Sequence, residues 1–178
     1  MIQSAKRNKN KLKMFNIYQM KIKNDLCDKF SLKKSSNTMK KILIVQAVFY
    51  KKISALLLDG AIKKLEAAGH EYEIVTLSGA FEIPAAIAFA ETSKKYAGYV
   101  ALGCVIRGET THYDYVCLES ARGLNELGFR EKLAIGYGII TTENEAQAIV
   151  RADPKQKNKG GFAVGVCLEM VKLKERFL

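Results

Sequence analysis

Histidine is scarce in this 178-residue sequence, which holds only His70 and His112. The four cysteines, Cys27, Cys104, Cys117 and Cys167, lie far apart and form no Cys-x-x-Cys pair. Ligands so few and so widely spaced do not make a zinc site, and no metal is expected. Single thiols scattered among apolar residues read as packing residues in a reducing compartment, so the expectation is no disulfides and a cytoplasmic protein. No run of 18 apolar residues occurs, which argues against a membrane-spanning helix. The first residues lack the apolar segment of a secretory signal. There is no dinucleotide-binding glycine fingerprint and no internal repeat.

Acidic residues are outnumbered, but unevenly. The formal charge is +11, yet residues 1–38 carry ten Lys/Arg against two Asp, a net of +8, leaving +3 for residues 39–178. The excess is therefore a property of the first 38 residues. That segment is rich in Lys, Asn and Ser, and its apolar residues are scattered. It cannot bury enough surface to offset the entropy of ordering, so it reads as a disordered basic extension. It favours Lys over the Arg of organelle transit peptides. Two accounts of it stand: an extension upstream of a start at Met39, or an arm making weak contacts with RNA or a membrane surface. The nearly balanced domain after it is not expected to bind nucleic acid or membrane. Apolar residues make up 48% of the chain, enough for one globular domain over residues 39–178.

From Met39 onward, strand and helix patterns alternate. KILIVQA (41–47) is a continuous apolar run, the texture of a strand covered on both faces. Residues 52–68 place Ile53, Leu57, Ala61, Leu65 and Ala68 on one helical stripe, closed by Gly69. YEIVTL (72–77) is a second strand. The turn SGAFEIP leads into a helix reaching Lys95. YVALGCVI (99–106) is a third strand, followed by a helix over 112–127 that Gly128 closes. LAIGYGII (133–140) is a fourth. Thr142 and Glu145 fit a capping box opening a helix to about Arg151. The basic loop ADPKQKNKGG precedes a last helix ending near Phe177. The expected architecture is α/β: a three-layer αβα sandwich around a four-stranded parallel sheet.

Ligands of such folds bind beyond the carboxyl ends of the strands, and the segments there are chemically dense. RGETTHYDYV (107–116) follows the third strand. Gly108 permits a close approach, and Glu109 and Thr110 lead to a helix start near Thr111 and His112. Free N–H groups and hydroxyls there suit an anion; alternatively, Thr110 or Thr111 is simply an N-cap. Imidazole is the side chain that exchanges protons near neutrality, which favours a catalytic His112 over a structural one at this position. Asp114 and Glu119 lie close enough in sequence to tune it. In GAFEIP (79–84), Glu82 either favours the following helix or accepts hydrogen bonds from a polyol. Phe49 is either core or a platform for a flat ring. Arg151 either complements a helix C-terminus or clamps a phosphate, which requires the basic loop to reach a strand exit in its own or another subunit. Lys155 and Lys157 read as solvated.

Taken together, GAFEIP, VIRGETTHYDYV, GIITTEN and the Arg-x3-Lys-x3-Lys spacing of RADPKQKNKG resemble the lumazine synthase family over residues 40–176. The resemblance implies a flavodoxin-like fold. It also implies the penultimate reaction of riboflavin biosynthesis, a transferase reaction without cofactor. In it, 5-amino-6-(D-ribitylamino)uracil condenses with 3,4-dihydroxy-2-butanone 4-phosphate, releasing phosphate and water. Phe49 would stack on the pyrimidine, and Ala80, Phe81 and Glu82 would line the ribityl chain. The backbone at Cys104, Val105 and Ile106 would read the uracil edge. Glu109 and Thr110 would hold the phosphate, and His112 would move protons. A neighbouring subunit would supply Tyr137, Arg151 and Lys159. The resemblance thus implies a homo-oligomer, a pentamer or twelve pentamers in a shell, with riboflavin synthase as a candidate partner. The chain departs from the family pattern at Val48-Phe49-Tyr50, where Arg-Phe-Asn is common. It also has Tyr137 in place of the usual Phe and a shorter segment between Gly69 and the second strand. Competing readings are a flavodoxin-like binding module without turnover, and a structural shell or nucleic-acid-associated protein using the basic tail.

Overall fold

KILIVQA forms β1 (Lys41–Ala47) in the computed structural model, which describes residues 41–178. The disordered basic extension, the start at Met39 and Cys27 lie outside the described residues. β1 is a continuous apolar run because both its faces are covered. Ile42 and Ile44 enter one core, Leu43 and Val45 the other, and all four are at most 1% exposed. β2 (Tyr72–Leu77), β3 (Tyr96–Ile106) and β4 (Ile135–Thr142) complete a parallel sheet in the order β2-β1-β3-β4. Five helices connect and follow the strands among the described residues: α1 (Lys51–Ala67), α2 (Ile83–Glu91), α3 (His112–Arg130), α4 (Glu145–Ala152) and α5 (Lys159–Phe177).

The helices sort onto two faces. Ile53, Leu57, Ala61 and Leu65 of α1 join α4 and α5 over Ile42, Ile44, Val100 and Leu102. Ile83 and Ile87 of α2 join Val116 and Leu124 of α3 over Leu43, Val45, Tyr99 and Ala101. This is the expected three-layer sandwich. α1 and α5 cross closely because a Cβ at Gly160 would collide with the Leu57 carbonyl. β2, at the sheet edge, is the exception to full coverage: Ile74 and Val75 remain 40% and 38% exposed.

Several boundaries differ from the sequence reading. Gly69 ends α1 as expected, at φ +71°, and its N–H and that of His70 bond the Glu66 and Leu65 carbonyls at 3.0 and 3.1 Å. Ala68, however, is the exposed C-cap and not part of the buried stripe. α2 stops at Glu91, short of Lys95, because the Thr92 and Ser93 hydroxyls each donate at 2.7 Å to the last carbonyls. β3 consequently starts at Tyr96, three residues before Tyr99. Gly128 does not close α3, which continues to Arg130; the chain reverses at Lys132, φ +54°, and Leu133 is buried behind it. β4 runs 135–142 and not 133–140, so Thr142 is a strand residue. The cap of α4 is Asn144, whose side chain accepts from the Gln147 N–H at 3.0 Å, while Gln147 accepts from the Glu143 N–H at 3.2 Å. A related arrangement thus lies two residues later than the Thr142–Glu145 box, with Gln147 reaching the N–H of the residue before the cap instead of that of the cap itself.

Candidate active site

The chain leaves β1 for β2 on one side and returns through α2 to β3 on the other. The strand order therefore reverses at the β1 and β3 exits, where a parallel sheet leaves a crevice. The register sharpens it. β1 pairs with β3 only as far as Gln46↔Leu102, whereas β3 and β4 stay paired to Ile106↔Thr142. The edge of Cys104–Ile106 that faces away from β4 thus borders the crevice with its peptide groups. A cleft of about 610 Å³ occupies the place.

Three strand exits build its walls. Phe49 and Tyr50 come from β1, with ring centroids 5.0 Å apart in an edge-on contact. Phe49 is 74% exposed, so it is no core residue. Ala80, Phe81 and Glu82 come from the β2 exit. There the backbone turns through an Ala80 carbonyl accepting from the Ile83 N–H at 3.3 Å. Gly79 leaves room for the carboxylate: a Cβ there would stand 2.8 Å from Glu82 Oε2. Cys104, Val105, Ile106, Gly108 and Thr110 come from the β3 exit, and His112, Tyr113 and Val116 from α3.

His112 is the first residue of α3 and is exposed. Its backbone N–H donates to Thr110 Oγ1 at 3.4 Å, while Thr111, in the N-cap position, makes no side-chain cap. The loop hydroxyl, not the cap residue, faces the helix start. The two acids close to His112 in sequence are engaged by arginines. Asp114 is held by Arg107 at 3.1 Å, and Glu119 accepts from Arg122 Nε at 2.8 Å. The Cys104 thiol is pushed up to about 12 by burial, with the nearby Glu145 charge adding to the effect. It stays protonated at neutral pH and is no nucleophile. Burial also raises the Tyr50 and Tyr113 phenols, so both remain neutral hydroxyls.

Nine of the residues singled out in the sequence thus share one cleft: Phe49, Ala80, Phe81, Glu82, Cys104, Val105, Ile106, Thr110 and His112. Four do not line it. Glu109 is exposed on the loop beside it. Arg151 sits in the last turn of α4, with Nη1 donating to the Gln147 carbonyl at 3.1 Å. Lys159 opens α5, with Nζ 4.7 Å from the Phe162 ring centre. Tyr137, on β4, borders a separate apolar groove of about 590 Å³ with Phe129, Val166 and Met170. No lysine or arginine lines the cleft among the described residues. Sequence reasoning missed Ser78, Tyr50 and Tyr113 as cleft residues. Tyr113 had a usable signal, its i+3 spacing from buried Val116.

The profile of the 6,7-dimethyl-8-ribityllumazine synthase family matches residues 39–175. The chain belongs to this family. Among curated relatives, the 6,7-dimethyl-8-ribityllumazine synthase of Novosphingobium aromaticivorans is 55% identical over 139 residues, covering 78% of this chain and 99% of that one. That of Bartonella tribocorum is 56% identical, over 76% of this chain and 91% of its own. That of Zymomonas mobilis is 52% identical, over 78% and 99%. The family match spans all four strands, their exits, the first four helices and all but the last two residues of α5.

Proposed function

We propose that the protein is a 6,7-dimethyl-8-ribityllumazine synthase, a transferase. It would condense 5-amino-6-(D-ribitylamino)uracil with 3,4-dihydroxy-2-butanone 4-phosphate, releasing phosphate and water. The observation that carries this reading is the cleft at the β1/β3 switch point. It joins an exposed aromatic face, a free β-strand edge, a carboxylate and an imidazole.

Each group has a task in that reaction. Phe49 stacks on the pyrimidine, whose edge bonds the peptide groups of Cys104–Ile106. Ala80, Phe81 and Glu82 follow the ribityl chain, with Glu82 accepting from its hydroxyls. The 5-amino group attacks the ketone carbonyl, water leaves to give an imine, phosphate departs, and the second amine closes the ring with loss of water. Every step relocates a proton, and His112 is the group positioned to carry it. Thr110 and the N–H groups at residues 109–111 receive the phosphate, with the Glu109 side chain turned away. Holding two reactants in one cleft contributes up to roughly 7–11 kcal/mol in ideal cases.

A departing phosphate needs a cation, and among the described residues no lysine or arginine lines the cleft. We infer that a neighbouring copy supplies Arg151, Lys159 and Tyr137, making the active site a shared one in a homopentamer or in a shell of twelve pentamers. The groove beside Tyr137 and the uncovered Ile74 and Val75 of β2 are apolar surface of the kind that self-association buries. Riboflavin synthase, which uses the product, is the natural partner of a shell. The unpaired thiols Cys104, Cys117 and Cys167 suit a cytoplasmic location.

A turnover assay with both purified substrates, run beside light scattering for particle mass, tests the proposal. Product absorbance and fluorescence should appear only when both substrates are present, from particles of at least five chains. Binding of the substrates without product would favour the binding-module reading instead.

A further inference from the structure

Arg107 stands outside the cleft, yet it ties the β3 exit and the first turn of α3, which carry Thr110 and His112, to the β4 exit. Its backbone N–H donates to the Thr142 carbonyl at 2.9 Å, beside the last β3–β4 rung. Its guanidinium forks onto Asp114, Nη2 to Oδ1 at 3.1 Å and Nη1 to Oδ2 at 3.4 Å. Nε reaches Glu143 Oε2 at 3.1 Å. The guanidinium carbon also lies over the Tyr113 ring, 4.0 Å from its centre. One side chain thus engages the first turn of α3 twice and the β4 exit once.

We propose that Arg107 is a positioning residue that fixes the 108–112 loop, and with it Thr110 and His112, against the cleft. The argument is one of closure. Arg107 and Asp114 are joined seven residues apart, and the intervening loop contains both reactive side chains. The Thr110–His112 bond, at 3.4 Å, is too long to hold that loop by itself. Tyr113, which does line the cleft, is pinned from behind by the guanidinium. The arginine is no phosphate ligand in waiting, because two carboxylates already neutralise it. Lysine cannot replace it fully, since an ammonium offers neither the fork nor the flat face. The pairs are substantially exposed, with side-chain exposures of 40–60%. Such pairs add little to global stability, so the clamp acts on geometry, where displacements of about 1 Å cost up to a hundredfold.

The functional consequence rests on the synthase reading above, and the test separates the two. Arg107→Ala should lower kcat roughly tenfold or more, with KM for the pyrimidine within about twofold and Tm nearly unchanged. Arg107→Lys should recover part of the loss, and Arg107→Ala with Asp114→Asn should be no worse than Arg107→Ala alone, as expected of one unit. Arg122→Ala removes a comparable network on the outer side of α3, with Glu119 and Glu126, and should leave kcat unchanged. A kcat in Arg107→Ala within about twofold of wild type, or an equal loss in Arg122→Ala, overturns the clamp. Amide hydrogen exchange across residues 108–113 decides it without turnover. Faster exchange in Arg107→Ala than in wild type and Arg122→Ala supports the clamp, and unchanged exchange overturns it. A wild-type protein that made no product would remove the synthase reading alone.

Discussion

The cleft and the groove are concavities of almost equal size, about 610 and 590 Å³, and both are mainly apolar. They differ in what interrupts the apolar surface. The cleft gathers Glu82, Thr110, His112 and the open edge of β3 at the one point where the strand order reverses. The groove, on the far side of β4, offers Tyr137, Phe129 and Met170 and, among polar side chains, Asn125 and the Tyr137 hydroxyl. One has an imidazole but, among the described residues, no lysine or arginine in its lining. The other has adhesive surface but nothing to react with. The difference teaches that proton-moving groups and a lining without lysine or arginine meet in one concavity while apolar surface is concentrated in the other, which fits the proposal that a second copy completes the site. On the proposed reading, Arg151 and Lys159 are residues of the same chain that act in the neighbour's cleft.

The contrast can be broken from either side. Removing the proton carrier should do most harm: His112→Ala is expected to lower kcat about 10²–10⁴-fold, with both KM values changed little in steady-state assays. An unchanged turnover number would end its assigned role. Arg151→Ala should raise KM for the phosphorylated ketone by roughly 10–100-fold, the worth of a charge-assisted contact, with the pyrimidine KM unaffected. Equal rises in both KM values would count against phosphate recognition. Met170→Glu puts a charge into the groove and should weaken assembly roughly tenfold or more. Sedimentation would then show smaller particles of unchanged helix content, and activity should fall with particle mass.

Much of the cleft was legible because a parallel sheet places chemistry at strand exits. GAFEIP and RGETTH stand out there as polar interruptions behind apolar runs. The short buried strands β1 and β4 were visible for the same reason. What escaped was decided by packing between distant segments. The Tyr-Ala-Gly start of β3 does not read as strand, yet Gly98 belongs there because a Cβ would lie 2.6 Å from Cys167 Sγ on α5. Thr142 fits a cap on paper, but pairing with Ile106 draws it into β4 and passes the cap to Asn144. Gly128 loses its stop to Lys132, because the chain must bury Leu133 after one more turn of α3. Tyr50 was noticed only as a departure from Arg-Phe-Asn; its edge-on contact with Phe49 makes it part of the aromatic wall. The proposed distribution of site residues over two copies is invisible to any periodicity, since periodicity reports faces within one chain.

Subunit mixing tests the shared site most directly. His112→Ala and Arg151→Ala chains would be co-expressed in equal amounts and the mixed particles assayed at a ketone concentration near the wild-type KM and far below that of Arg151→Ala, where each parent has little activity alone. If each cleft takes its imidazole from one chain and its guanidinium from the next, about one quarter of the sites are intact and activity returns to about one quarter of wild type. If both residues served the same chain's cleft, no site would be intact and the mixture would stay as inactive as its parents, contradicting the account.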